Sequence, residues 1–259
     1  MKHFLFVLLL AAGLSVSAQD RTELVNIEYL INNGRGEKVY QDLCGILKKY
    51  PREDKAYFLR AKYYFLTSNH KAALQDIDFA LKYRFNNAVY HDLKGEILML
   101  AKKYFQAGMS FETAFKTDTL LSECRYKAAK AYLNAQKFDK AENVLKNFAG
   151  SDSSKLLLAE IYSENGDVIP ALKTVNTVEK KSAGFYRLRG VIYCKAEMYE
   201  ESITDLNSAL DLDPSLTDIY LWRGLSYYFS GQKQNAEQDW NTALKFRHFK
   251  ANDYLEKYR

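Results

Sequence analysis

Proline is nearly missing from this chain, with three in 259 residues, and glycine is limited to twelve. Both residues punctuate strands and tight turns, so their scarcity disfavours a fold of many short strands and favours helices. Cysteine is equally sparse. Cys44, Cys124 and Cys194 are odd in number and far apart, which excludes a dense disulfide framework and reads as three thiols acting as small hydrophobes. Only His70, His91 and His248 follow the first eighteen residues, and no two are four apart. A zinc site needs three or four converging ligands, so none is expected. His91 falls in a packing column and is expected to be partly buried. The chain has no P-loop, dinucleotide fingerprint or nucleophile elbow. Acid pairs such as Glu200-Glu201, or Asp211 with Asp213, lie in polar stretches where nothing desolvates them. No catalytic residue and no cofactor is therefore expected. Neither charge sign dominates: 37 basic side chains face 32 acidic ones. The lysines form no dense run, which argues against nucleic acid as a partner.

The one long apolar run is at the start. Met1-Lys2-His3 is a short basic opening, Phe4–Leu14 is apolar, and Val16-Ser17-Ala18 offers small residues for cleavage. This is the layout of a secretory signal peptide over residues 1–18, too short for a lasting bilayer anchor. Cleavage would leave Gln19 first and lower the formal charge from +5 to +4. No cysteine lies near that point, so the segment does not have the form of a lipoprotein signal. The mature chain is expected to be exported, periplasmic or secreted, without a stable membrane anchor.

The rest of the chain repeats itself. "YRLRGVIY" (Tyr186–Tyr193) and "YLWRGLSY" (Tyr220–Tyr227) share one pattern, Tyr-x-x-Arg-Gly-x-x-Tyr, and begin 34 residues apart. With each glycine at position 8, seven units start near 20, 54, 88, 122, 152, 183 and 217. Position 8 reads Ile27, Ala61, Gly95, Ala129, Ala159, Gly190 and Gly224. Position 20 reads Val39, Ala73, Ala107, Ala141, Ala171, Ser202 and Ala236. Large residues fill position 11, from Leu30 to Tyr227, and position 24, from Leu43 to Trp240. Spacings of three and four put each set on one helical face. Turn residues such as Asn165-Gly166-Asp167 and Ser230-Gly231-Gln232 separate the faces. Each unit thus reads as helix, turn, helix, with small residues admitting close approach.

This pattern resembles the tetratricopeptide repeat family over almost the whole chain after residue 18, and most specifically over Tyr186–Pro214 and Tyr220–Ala243. Pro214 and Pro51 stand at the family's terminal proline position. The resemblance implies an all-α fold, a right-handed α-solenoid (superhelix) of about seven units, with residues 251–259 as a C-terminal cap. The departures are local. Unit one has Ile27, Val39 and Ile46 at small-residue positions, so its helices are expected to pack more loosely or to cap the array. Units four and five are short, at 30 and 31 residues, and the second helix of unit five is expected to begin near Pro170.

In the family, the first helix of each unit lines a concave groove at positions 2, 5, 9 and 12. Carried over, the candidate ligand groove comprises Lys55, Phe58, Lys62, Phe65, Tyr126, Lys130, Arg187, Leu221 and Tyr228. Asp92, Glu96, Met99, Glu123, Leu133, Val191, Cys194 and Leu225 share the stripe. Position 9 reads Glu28, Lys62, Glu96, Lys130, Glu160, Val191 and Leu225, which is not the two-carboxylate clamp of chaperone-binding members. The resemblance therefore implies a non-enzymatic exported scaffold that binds a protein or peptide segment, for instance in an envelope or secretion complex. Two other readings stay open. One is a receptor for glycan or cell-wall fragments, since tyrosines and tryptophans can stack on sugars, although Trp240 falls in a core column and Trp222 two residues before Gly224. The other is an enzyme whose site has no sequence signature.

Overall fold

The computed structural model describes residues 16–34, 38–146, 148 and 150–258. Among them are fifteen helices and no strand. The first helices of the expected units are α1 (Ala18–Asn32), α3 (Asp54–Leu66), α5 (Ala88–Leu100), α7 (Glu123–Asn134), α9 (Asp152–Asn165), α11 (Ala183–Lys195) and α13 (Ile219–Phe229). The second helices are α2 (Val39–Lys49), α4 (His70–Tyr83), α6 (Tyr104–Thr117), α8 (Phe138–Leu145), α10 (Val168–Val175), α12 (Tyr199–Leu212) and α14 (Lys233–Lys245). The cap is α15 (Lys250–Lys257). This is an all-α tetratricopeptide-type solenoid fold. The chain divides into two compact units between Gln136 and Lys137.

Packing follows the small-residue columns. All seven position-20 side chains are fully buried, and position 24 is buried from Leu43 to Trp240. A Cβ on Gly224 would sit 2.4 Å from Nε1 of Trp240, and one on Gly190 would sit 2.7 Å from Cγ of Leu206. Both distances are shorter than carbon side chains tolerate, so these glycines set how closely the two helices of a pair meet. Phe148 departs from the expected packing. It lies at position 27, three residues after Leu145 of position 24. Ile46, Ala80, Ala114, Val178, Ala209 and Ala243 are buried at that position, but Phe148 is exposed because α8 has already ended at Leu145. Shortening in units four and five falls on the second helices, each eight residues long. Pro170 sits in the first turn of α10, where its missing N–H costs nothing.

The looseness expected of unit one is present: α1 approaches α3 more than it approaches its own partner α2. The basic opening and the apolar run Phe4–Leu14 lie outside the described residues. The last part of the expected leader lies inside them. Val16 packs against the core of the first unit. Ser17 caps α1 by accepting from the Asp20 N–H at 3.1 Å, and its own N–H reaches the Tyr50 hydroxyl at 3.3 Å.

The repeated arginine has its own structural role. Arg189 donates to both Asp205 oxygens at 2.6 and 2.9 Å, and Arg223 to both Asp239 oxygens at 2.8 and 2.7 Å. Arg60 does the same to Asp76 at 2.6 and 2.9 Å. Each joins position 7 of a first helix to position 23 of its partner. Each also reaches position 25 of the preceding pair: Cys44 for Arg60, Asn176 for Arg189 and Asn207 for Arg223. Arg189 lies over the rings of Tyr186 and Tyr193, and Arg223 over those of Tyr220 and Tyr227. Every fixed letter of the repeated octet is thereby used, with the guanidinium held between two phenol rings and hooked to an aspartate.

Candidate binding surface

Side chains at positions 2, 5, 9 and 12 of the first helices are held by ion pairs, held by packing or left exposed, differently in the two compact units. In the first compact unit, Lys55 pairs with Glu28 of the preceding first helix at 2.9 Å. Lys62 donates to the Asn32 side chain at 2.6 Å. Asp92 and Glu96 are both held by Lys127, at 2.9 and 2.7 Å. Lys127 stands at position 6, outside the stripe, and was not anticipated. Its burial opposes the charge, but the hydrogen bonds it donates to Glu96 and Asp92 outweigh that and raise its pKa. Lys130 is exposed, and Phe65, Met99, Tyr126 and Leu133 are half-buried beside these charges.

Phe58 is placed differently from the expectation that it would line an open surface. It is only 7% exposed and stacks on Tyr90 at 4.7 Å, while the Tyr90 hydroxyl donates to Asp54 at 2.7 Å. The side chain therefore bonds α3 to α5. Cys124 lies beneath Asp92, and burial first, then that carboxylate, pushes its thiol pKa up to about 12. Such a thiol is a hydrophobe and not a nucleophile.

In the second unit Arg187 donates Nε to both Asp218 oxygens, at 3.1 and 2.8 Å, bridging α11 to the start of α13. Lys195 binds the Ser163 carbonyl at 2.9 Å and Glu164 at 2.9 Å. Val191 and Cys194 are buried, so the stripe there sinks into the core. Leu221 and Leu225 are half-buried in the C-terminal cluster. Tyr228 is covered, since the Tyr258 ring following α15 sits 4.6 Å from it. Of the expected stripe, then, Lys55, Lys62, Asp92, Glu96 and Arg187 cross-brace first helices, and Phe58, Val191, Cys194 and Tyr228 pack. The open face centres on Lys62, Met99, Tyr126 and Lys130.

The histidines and tryptophans fill structural places. His91 is buried, with Nε2 2.9 Å from the Phe85 carbonyl. His248 meets Thr217 at 2.8 Å. Trp240 is a core side chain, and the Lys195 ammonium lies over the half-buried Trp222 ring.

A family model described as the TPR repeat matches residues 190–231, the span that contains Arg223 and the turn of unit six. That span is a tetratricopeptide repeat by sequence, and the chain as a whole shares the tetratricopeptide solenoid fold. The curated protein "Tetratricopeptide repeat protein 37" of Xenopus laevis is 26% identical over 204 residues, which is 73% of this chain but only 13% of that protein. Among solved structures, a tetratricopeptide repeat protein from Parabacteroides merdae superposes with a TM-score of 0.69 at 16% identity, covering 92% of this chain and 98% of that one. The APC/C hetero-tetramer Cut9-Hcn1 gives 0.61 at 16% identity, covering 91% of this chain and 48% of that chain. These structural likenesses concern the tetratricopeptide fold. Tetratricopeptide proteins are commonly protein-interaction scaffolds, and the function proposed below starts from that general role.

Proposed function

We propose that this tetratricopeptide protein is a non-enzymatic, exported scaffold that holds a polypeptide segment against the first-helix face of its first compact unit. One observation carries the reading. Successive first helices α3, α5 and α7 bring half-buried Phe65, Met99, Tyr126 and Leu133 into one stripe edged by Lys62 and the exposed Lys130. Apolar area beside cations suits an extended segment that bears both apolar and acidic side chains. The cross-bracing pairs Lys55–Glu28 and Lys127–Asp92 hold this stripe in one geometry before a ligand arrives, which lowers the ordering cost of binding. The fold likeness to a chain of a hetero-tetramer, the APC/C Cut9-Hcn1 assembly, supports the class of ligand. The signal-peptide layout of residues 1–18 supports export. The glycan reading gains no support from the tryptophans, because Trp240 is in the core as its column implies and Trp222 is half-buried.

The test is capture from a cell-envelope extract by the immobilised protein, followed by Lys62→Glu with Lys130→Glu. Asn32 can bond to either sign of side chain through its amide, so the fold should tolerate the change at Lys62. The expected result is loss of the captured protein with the melting temperature nearly unchanged, and weakened capture at high salt. Capture that survives the double reversal would remove this face from consideration.

A further inference from the structure

The turn-bearing edge of the first compact unit, where α3 meets α4 and α5 meets α6, has an unusual charge pattern. No aspartate or glutamate occurs between Asp54 and Asp76, or between Glu96 and Glu112. Lys71, Lys102 and Lys103 are exposed on these two turns, and none forms a salt bridge to another described residue. Lys55, Lys94, Lys116 and Lys127 of the same unit are each held by a carboxylate. Beside the unpaired lysines stand uncovered aliphatic side chains. Leu66 and Leu100 are the last residues of α3 and α5, and they are 58% and 56% exposed. They occupy the same position in adjoining pairs, two residues before the left-handed residues Ser68 and Lys102. Phe105 and Met109, one turn apart on α6, extend the apolar surface. An open hollow lies between the start of α6 and the end of α7, lined by Lys102, Lys103, Tyr104, Phe105, Gln106 and Ala135.

Lysines without salt bridges are thus interleaved with the exposed tips of Leu66, Leu100 and Met109. An acidic polypeptide would read the lysines without needing two leucines at turn apices. A surface with fixed negative charge over a shallow apolar layer needs both. We propose that this edge docks the protein on the surface of an anionic lipid bilayer, with the lysines at the phosphates and Leu66 and Leu100 reaching below them. No helix among the described residues is long and apolar enough to cross a membrane, so attachment through this edge is peripheral and reversible. Each lysine near such a surface is worth roughly fivefold in partitioning, an effect that salt screens. The first-helix face is a separate surface, and the two proposals stand or fall independently.

The experiment is co-sedimentation of the chain from Val16 onward, which contains every described residue and lacks the apolar run Phe4–Leu14. The probes are vesicles of phosphatidylcholine and phosphatidylglycerol in a three-to-one ratio, against phosphatidylcholine alone. Binding is expected to the anionic vesicles only, and high salt should release it. Lys71→Glu with Lys102→Glu and Lys103→Glu should weaken it by about a hundredfold or more. Leu66→Ser with Leu100→Ser should weaken it by about tenfold, the loss of two partly inserted side chains. Reversal of the exposed Lys48, Lys82 and Lys180 makes the same change in net charge and should leave most of the binding intact. Circular dichroism melts of each variant establish that the fold is kept. Equal binding to neutral vesicles, no binding at all, an equal loss in the charge-matched control, or full binding by the leucine variant would each overturn the proposal. The last result would point to a charge-only surface for an acidic polypeptide.

Discussion

Glycine at position 8 is a packing residue and glycine at position 15 is a backbone residue, and substitutions should separate the two. Gly190→Leu must displace Leu206, whose Cγ lies 2.7 Å from a Cβ added there, so about 1–3 kcal/mol of stability should be lost to overpacking. Gly166 has nothing within 4 Å of an added Cβ, but its φ is +91°. Gly166→Ala should therefore cost about 1–2 kcal/mol through left-handed strain alone. Position 15 is left-handed in all seven units, yet Ser68, Lys102, Gln136 and Glu197 occupy it in four of them. Glu197→Gly should be neutral or mildly stabilising, since relief of strain offsets the extra chain entropy. Thermal melts of these three variants check the assignments. The arginine hook gives a second residue-scale test. Arg189→Met leaves Asp205 buried without its partner and should cost about 1.5–3 kcal/mol, and Asp205→Leu added to it should recover much of that.

Two of the shifted groups give pH responses that can be tested at the same scale. Burial holds the His91 pKa below the usual imidazole value, opposed by the Phe85 carbonyl and aided by Lys94. The unfolded chain takes that proton near pH 6.5 and the folded chain does so only at lower pH, so stability should fall as pH drops through about 6.5. The His91→Gln variant should lose this slope in melting temperature. Lys49 chiefly, with Ser17 and Tyr50, lowers the Asp20 pKa from 3.8 to about 2. Its contribution is present above about pH 4 and is lost as pH falls toward 2, and Asp20→Asn should flatten that part of the acid profile.

At the scale of elements, the helix pairs and their close approach were legible because position 8, position 20 and the turn glycines are written in residue types. The cross-bracing was not. Lys127 finds Asp92 and Glu96 on a helix more than thirty residues earlier, and no spacing within one helix announces that. The arginine hook was partly visible in the repeated octet, but its aspartate, sixteen residues on, reads like any exposed acid until the second helix is in place. Phe148 misled because a column defined by counting runs past the end of a shortened helix. The start of α1 carries its own prediction. Val16 and Ser17 seat this helix, so a chain beginning at Gln19 loses a cap worth about 1 kcal/mol. Hydrogen exchange should be faster in α1 of that chain than in one beginning at Val16, and equal rates would show that the cap contributes nothing.

At the scale of the whole molecule, the second helix of one pair packs on the first helix of the next within each compact unit, and charged side chains on the first-helix face bridge successive first helices. Several of its charges are committed to that bridging, Lys62 through Asn32 among them, and the exposed Lys130 and half-buried Met99 lie on the same face of the first unit. The most direct test of the account is hydrogen–deuterium exchange of the protein with and without its captured partner. Protection is expected in α3, α5 and α7, with second helices α4 and α6 unchanged. Protection confined to α4 and α6, with the first helices exchanging as in the free protein, would contradict the assignment of the binding face.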